Sequence, residues 1–347
     1  MMQPVTGIIR DARYLDHLPG HTHPEHPSRL RAIYEMIDRE FAEKLLTITP
    51  QPAAMDDLEL VHTPAYIKKV LKTAEHQFTS LAPDTPASAK TYLAAWLAAG
   101  GCIEALKAVW SGLCRNCFAL IRPPGHHALP GRAGGFCIFN NVAIAARYAQ
   151  RVMRVKKTLI VDWDIHHGNG IHEFFYDDPE VFYFSSHDKL LYPYSGDFDE
   201  AGEGEGAGYT VNVPLTRDLE NEDMVALYQM LLPRIVERYR PELILVDAGF
   251  DAHRDDPIGR SHLTEEAFTE LTRLILNLGS ALGDPKIVFV LEGGYDPRAL
   301  SRCVERVLQV LCAPPGRACM LVGGTTRADA LAEEVFRAHK SFKVWVD

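Results

Sequence analysis

Four short stretches concentrate the side chains that could do chemistry. The densest, VDWDIHHGNG (Val161–Gly170), sets Asp162, Asp164 and His166 at alternate positions. In extended backbone that spacing puts all three on one side. Two carboxylates and an imidazole on one face of a buried strand end need a counter-charge, and a divalent metal ion supplies one. The mixed donor set suits Zn²⁺ and also Fe²⁺, Co²⁺ or Mn²⁺. A plain hydrogen-bonded polar network is the weaker alternative. The second stretch, RPPGHHALPGRAGGFCIFNN (Arg122–Asn141), sets His126 and His127 on a rigid Pro-Pro-Gly turn. Adjacent imidazoles suit proton transfer better than joint ligation of one ion. The third, DAGFDAHRDDPIG (Asp247–Gly259), offers Asp251 as a further ligand, with His253, Arg254, Asp255 and Asp256 expected in a solvated loop. In the fourth, LEGGYD (Leu291–Asp296), paired glycines let the backbone approach closely, and Tyr295 becomes a candidate hydrogen-bond donor to an oxyanion.

These stretches follow apolar runs that read as strands. The runs are VTGII near Val5, CFALI from Cys117, TLIVDW from Thr158, VFYFSS from Val181, YTVNVPL from Tyr209, LILVDAG from Leu243 and IVFVLEGG from Ile287. Helical spacing fills the intervals Ala87–Trp110, Asn140–Met153, Asn221–Tyr239 and Thr264–Leu278, and again about Arg327 to His339. Strands apolar throughout and alternating with helices predict an α/β fold with a parallel sheet covered on both faces. Asp162, Asp164, Asp251 and Glu292 to Tyr295 then fall at the C-terminal edge of that sheet, where such folds bind ligands. GHTHPEHPSR (Gly20–Arg29) and YSGDFDEAGEGEGAGY (Tyr194–Tyr209) read as surface loops, the second a flexible one near the mouth of the site.

Composition narrows the function classes. The 347 residues carry 36 Lys and Arg against 46 Asp and Glu, a formal net charge of -10, without a dense basic run. A nucleic-acid grip is not expected, although basic peptides remain compatible substrates. Seven cysteines, an odd number, argue against a disulfide framework and for a reducing compartment, so a cytoplasmic location is expected. Cys114 and Cys117 form a lone C-x-x-C, read as two buried thiols at the start of a strand. The beginning of the sequence lacks a signal-peptide pattern, and no apolar run is expected to span a bilayer.

Taken in order, HPEHPSRL, RPPGHH, GGFCIFNN, DWDIHHGNG, AGFDAH and LEGGYD resemble the superfamily of histone deacetylases, acetylpolyamine amidohydrolases and acetoin-utilisation proteins. The DWD and HHGNG motifs look most like class II and bacterial histone-deacetylase-like amidohydrolases. The resemblance implies an arginase/deacetylase-like three-layer fold, with a central, mainly parallel sheet of about eight strands. It implies one domain over residues 1–347, with a core of about 5–312 and the segment 313–347 packed on it. It implies Zn²⁺ on Asp164, His166 and Asp251, with His126 partnered by Asp162 and His127 by Asn169, where class I members carry Asp. On charge grounds His126 should favour the imidazolium, and His127, beside a neutral amide, should lack that support. A structural K⁺ is implied around Asp162, Asp164, His166, Ser185 and Ser186. The implied reaction is metal-assisted amide hydrolysis with His127 as general base and acid and Tyr295 at the oxyanion. Phe136, after Gly134 and Gly135, would wall the substrate tunnel. Tyr192 would face it where the family usually has Phe, and Asp84 would sit at the rim.

The resemblance also bears on substrate. Ile258 stands where polyamine-specific members carry an acidic gatekeeper, which favours acyl-lysine peptides or proteins, or another small acylated amine, over acetylpolyamines. An arginase-like hydrolase would need a second metal ligand set, and only one is complete in the sequence. A non-catalytic acyl-lysine-binding scaffold is disfavoured because every expected catalytic residue is present. A homo-oligomer is compatible with all of these readings.

Overall fold

The computed structural model describes residues 5–281, 283–314 and 322–346. In chain order, β1 (Thr6–Ile9), α1 (Ser28–Glu40), β2 (Leu45–Ile48), α2 (Met55–Glu59) and α3 (Pro64–Leu71) lead to a hairpin of β3 (Phe78–Ala82) and β4 (Thr85–Ser88). Then come α4 (Thr91–Trp110), β5 (Asn116–Ala119), α5 (Asn141–Arg151), β6 (Thr158–Asp162), α6 (Asn169–Phe175), β7 (Val181–His187) and β8 (Thr210–Pro214). The chain continues through α7 (Asn221–Tyr239), β9 (Leu243–Ala248), α8 (Glu265–Ala281), β10 (Lys286–Leu291), α9 (Pro297–Cys312) and α10 (Thr326–His339).

Eight strands form one parallel sheet in the order β2-β1-β5-β10-β9-β6-β7-β8. The central strands are apolar and buried along their length, as LILVDA in β9 shows, because helices cover both faces. On one side α1, α9, α8, α7 and α10 pack in succession, and on the other α4 packs on α5 and α5 on α6. The sequence reading lacked β2, a half-exposed edge strand, and the β3–β4 hairpin.

One expectation needs correction at α4. Its 20 residues are long and apolar enough to cross a membrane by length and composition. They instead form a core helix, with 78% of its most apolar 18-residue window buried, packed on β1, β5, β10 and α5. Its Ala and Gly positions allow close backbone packing: a Cβ on Gly100 would lie 1.8 Å from the Gln51 carbonyl oxygen. Cys114 and Cys117 are buried free thiols. The segment after Ala313 includes residues 315–321, outside the described ones. Beyond them α10 packs on α7 and β8, with Thr325 Oγ1 donating to Asp223 Oδ1 at 2.5 Å.

The topology brings the four chemistry-bearing stretches together. β5, β10, β9 and β6 are neighbours at the centre of the sheet. The chain leaving the C-terminal end of each carries, respectively, the histidine pair, Tyr295, Asp251, and Asp164 with His166. Asp296 caps α9 by accepting from the Arg298 and Ala299 amides, and Pro297 occupies the first turn. This fixes where the Tyr295 loop ends.

Candidate metal centre and paired histidines

β6 ends at Asp162, so Asp164 and His166 lie on the loop beyond it rather than on continued strand. Strand alternation alone does not bring the donors together; backbone amides hold them. Asp164 Oδ2 accepts from Gly293 N at 2.9 Å, and Asp164 Oδ1 from His166 N at 2.9 Å. Asp251 Oδ1 accepts from Ile165 N at 3.0 Å. His166 Nδ1 lies 3.0 Å from both Asp164 Oδ1 and Asp251 Oδ2. One donor atom from each of the three residues falls within 4.8 Å of the others, and all three residues are buried. Gly293 is required here, because a Cβ would stand 2.2 Å from Asp251 Oδ2 and 2.4 Å from Asp164 Oδ2.

The electrostatics of the pocket fit a cation. Burial and the neighbouring Asp164 carboxylate push the Asp251 carboxyl up to about 7. Burial likewise raises Asp247 and lifts Glu292 to about 7. This surplus of buried negative charge is what a divalent ion between two carboxylates and an imidazole would offset. Two further groups of donors, His126 with Asp162 and Asp247 and His126 with Cys137 and Glu292, both draw on His126.

The imidazoles of His126 and His127 lie side by side, with ring centroids 4.0 Å apart. His126 Nδ1 is 3.3 Å from Asp162 Oδ2, which also accepts from the Tyr183 hydroxyl at 2.9 Å. His127 Nδ1 is 2.9 Å from Asn169 Oδ1. Burial works against charge on both rings, and their neighbours separate them. The Asp164 and Asp162 carboxylates outweigh burial and raise His126 to about 10. For His127, the positive fields of His126 and His166 add to burial and hold it well below the usual histidine range. The two rings are thus pushed in opposite directions, His126 toward the charged form and His127 toward the neutral one.

The Tyr295 phenol is held protonated by burial, reinforced by the Asp251 and Asp164 carboxylates. Its ring lies under the Arg29 guanidinium at 5.0 Å and meets Phe136 edge-on at 5.5 Å. Tyr192 meets His127 edge-on at 4.8 Å and is 38% exposed. Gly135, at φ 55°, sits between those two rings; a Cβ there would lie 2.2 Å from His127 Cδ2 and 2.8 Å from Tyr192 Cε1. Tyr192 thus contacts the histidine pair, and Phe136 contacts Tyr295. Asp84 braces this turn, its Oδ2 accepting from Gly135 N at 3.0 Å and its Oδ1 from Thr85 Oγ1 at 2.9 Å. Ile258 is half-buried on the loop after Asp251. Ser185 pairs in register with Asp162, and its hydroxyl lies 2.8 Å from His187 Nδ1. Ser186 bonds the Tyr228 hydroxyl at 2.7 Å.

Two sequence expectations are corrected. The segment from His253 to Asp256 is not a solvated loop throughout: Arg254 and Asp255 are exposed, but His253 and Asp256 are buried. The glycine-rich loop meets the neighbour of His166 at its start, where Ser195 Oγ lies 2.8 Å from His167 Nδ1. Its Gly202–Gly208 part turns away to pack on Tyr176, Asp177, Asp178 and Phe342, an approach that side chains there would block.

Sequence reasoning missed a buried ion cluster behind the site. Glu25 accepts from Arg122 Nε at 2.6 Å and Arg29 Nη1 at 3.0 Å, with His17 Nε2 at 3.2 Å. Arg29 also donates to the carbonyls of Gly294, at 2.6 Å, and Glu292. Glu292 in turn accepts from Gly125 N at 2.8 Å and His126 N at 3.3 Å. The cluster thus ties the Tyr295 turn to the histidine turn. Of its members only Glu292 stood out in the sequence, as a glutamate directly after an apolar strand in LEGG.

The histone deacetylase domain family matches residues 23–311. A probable deacetylase of Archaeoglobus fulgidus is 37% identical over 294 residues, covering 84% of this chain and 81% of that protein. Histone deacetylase 15 of Arabidopsis thaliana is 37% identical over 316 residues, 88% of this chain and 56% of that protein. Polyamine deacetylase HDAC10 of Homo sapiens is 38% identical over 304 residues, 84% of this chain and 45% of that protein. The chain therefore spans about half the length of the plant and human relatives. The crystal structure of the HDA15 HD domain superposes with a TM-score of 0.91 at 34% identity, covering 99% of this chain and 95% of that one. The chain belongs to the histone deacetylase family, whose members are metal-dependent amide hydrolases.

Proposed function

We propose that this protein is a zinc-dependent deacetylase that removes acetyl or related acyl groups from lysine side chains or small acylated amines. The observation that carries the reading is the convergence of Asp164, His166 and Asp251 beside the paired histidines, with Tyr192 edge-on to His127 and Phe136 edge-on to Tyr295. A divalent ion held by those three donors would supply Lewis-acid polarisation of an acyl carbonyl and acidification of a water. With the Asn169 carbonyl accepting from Nδ1, His127 keeps its lone pair on Nε2, the nitrogen left to take a proton and later return it to the leaving amine. His126, held charged by Asp162, orients and stabilises. The Tyr295 phenol donates to the developing oxyanion. Asp162, Asp164, His166, Ser185 and Ser186 are proposed to surround a K⁺ beneath the site, since β6–β7 register sets Ser185 beside Asp162.

For substrate, the half-buried, uncharged Ile258 favours acyl-lysine over acetylpolyamines, although the human relative is a polyamine deacetylase. Profiling the purified enzyme on acetyl-lysine peptides, longer acyl-lysines and acetylated polyamines side by side tests that choice. Tyr295→Phe and His127→Ala should lose turnover while retaining metal. Unchanged turnover in both rejects these roles, and binding without turnover in the wild type favours a scaffold.

A further inference from the structure

We infer that Asp256 is a positioning residue that sets Tyr295 against the metal-ligand loop, an assignment that rests on the proposed role of Tyr295. Asp256 is 6% exposed although it follows two exposed charged residues. Its carboxylate divides its bonds between two loops. Oδ2 accepts from the Tyr295 amide at 2.6 Å. Oδ1 accepts from the amides of Ile258 at 2.8 Å and Gly259 at 3.1 Å. Gly259 in turn packs so closely on the Asp251 carbonyl that a Cβ would lie 1.8 Å from its oxygen. One side chain thus joins the loop after β9, which carries Asp251 and Ile258, to the turn after β10, which carries Tyr295. On the other side of that turn, Arg29 holds the Gly294 carbonyl and lies over the Tyr295 ring. Tyr295 is therefore gripped at its backbone from both sides, and the Asp256 bond is the only grip of the two that also reaches the Asp251 loop.

The division of bonds makes a selective test available. In Asp256→Asn the side-chain oxygen keeps the two bonds at the Oδ1 position, and the NH₂ group then faces the Tyr295 N–H, donor against donor. The loop after Asp251 stays closed while the tyrosine loses its anchor. A displacement of about 1 Å at a reacting group costs up to about 100-fold in rate. Metal-loaded wild type, Asp256→Asn, Tyr295→Phe and the double variant are to be assayed on an acetyl-lysine peptide, with kcat, KM, metal content and thermal midpoint recorded. Asp256→Asn should lower kcat about 10- to 100-fold, with KM and metal content near wild type. In the Tyr295→Phe background the same change should cost less than about 2-fold, because residues acting as a unit are not additive. Full activity of Asp256→Asn beside an impaired Tyr295→Phe overturns the inference alone. Equal losses in both backgrounds, or loss of metal, would show that Asp256 acts on the fold or the metal loop instead, which also overturns it. Full activity of Tyr295→Phe overturns the inference together with the reading beneath it.

Discussion

Replacing Glu25 by Gln removes the one negative charge that Arg122 and Arg29 share in the interior. All three side chains are at most 1% exposed, and Glu25 accepts from Arg122 at 2.6 and 2.9 Å and from Arg29 at 3.0 Å. Breaking a buried ion pair by removing one partner costs about 3–5 kcal/mol, since the remaining charge stays desolvated. Glutamine keeps one acceptor oxygen, so the lower end, about 3 kcal/mol, is expected. That is a large fraction of a typical folding free energy of about 5–15 kcal/mol. Urea unfolding of both proteins from pH 3.5 to 8 measures it. Burial alone would raise the Glu25 carboxyl, but Arg122, His17 and Arg29 hold it well below its ordinary value of 4.5. A depressed folded pKa gives stability that is complete above the unfolded value and is lost as pH falls through the folded one. The part of the wild-type advantage that comes from the Glu25 carboxylate and the two arginines should therefore be complete above about pH 5.5 and shrink only below about 4.5. Because Arg29 also holds the carbonyls at Glu292 and Gly294, turnover should fall as well. A loss below about 1 kcal/mol at pH 8, or an advantage that goes on growing below about pH 4.5, would refute the reasoning.

Two further outcomes follow from local geometry. Gly293→Ala places a methyl 2.2 Å from the Asp251 carboxylate, so metal content by elemental analysis should fall by half or more while circular dichroism stays native-like. Ile258→Glu puts a carboxylate on the half-buried position after the ligand loop. The ratio of kcat/KM for an acetylated polyamine over an acetyl-lysine peptide should rise about 10-fold, equivalent to about 1.4 kcal/mol of added attraction, and an unchanged ratio would remove Ile258 from substrate choice.

The centre of the sheet was legible because its strands are buried on both faces and so read as continuous apolar runs, as in LILVDA of β9. The edge was not. β2, LLTI, is half-exposed and short, and the hairpin segments FTSLA and TPAS contain residues with little strand preference. The proposed ligands stood out in the sequence because carboxylates just past an apolar strand are unusual. The residues that hold the ligands were not, because their partners are distant in sequence. Glu25 meets Arg122 across 97 positions, and Asp256 meets Tyr295 across 39. Within RDD the two aspartates look alike, and only the fold distinguishes exposed Asp255 from buried Asp256.

Metal content and turnover of the same preparations test the central claim most directly. The wild type, stripped with a chelator and reloaded, should bind one transition-metal ion per chain and recover hydrolysis of an acetyl-lysine peptide in proportion to occupancy. Asp251→Ala should recover neither. Full turnover by the stripped protein, or one tightly held ion and full turnover in Asp251→Ala, would contradict the account.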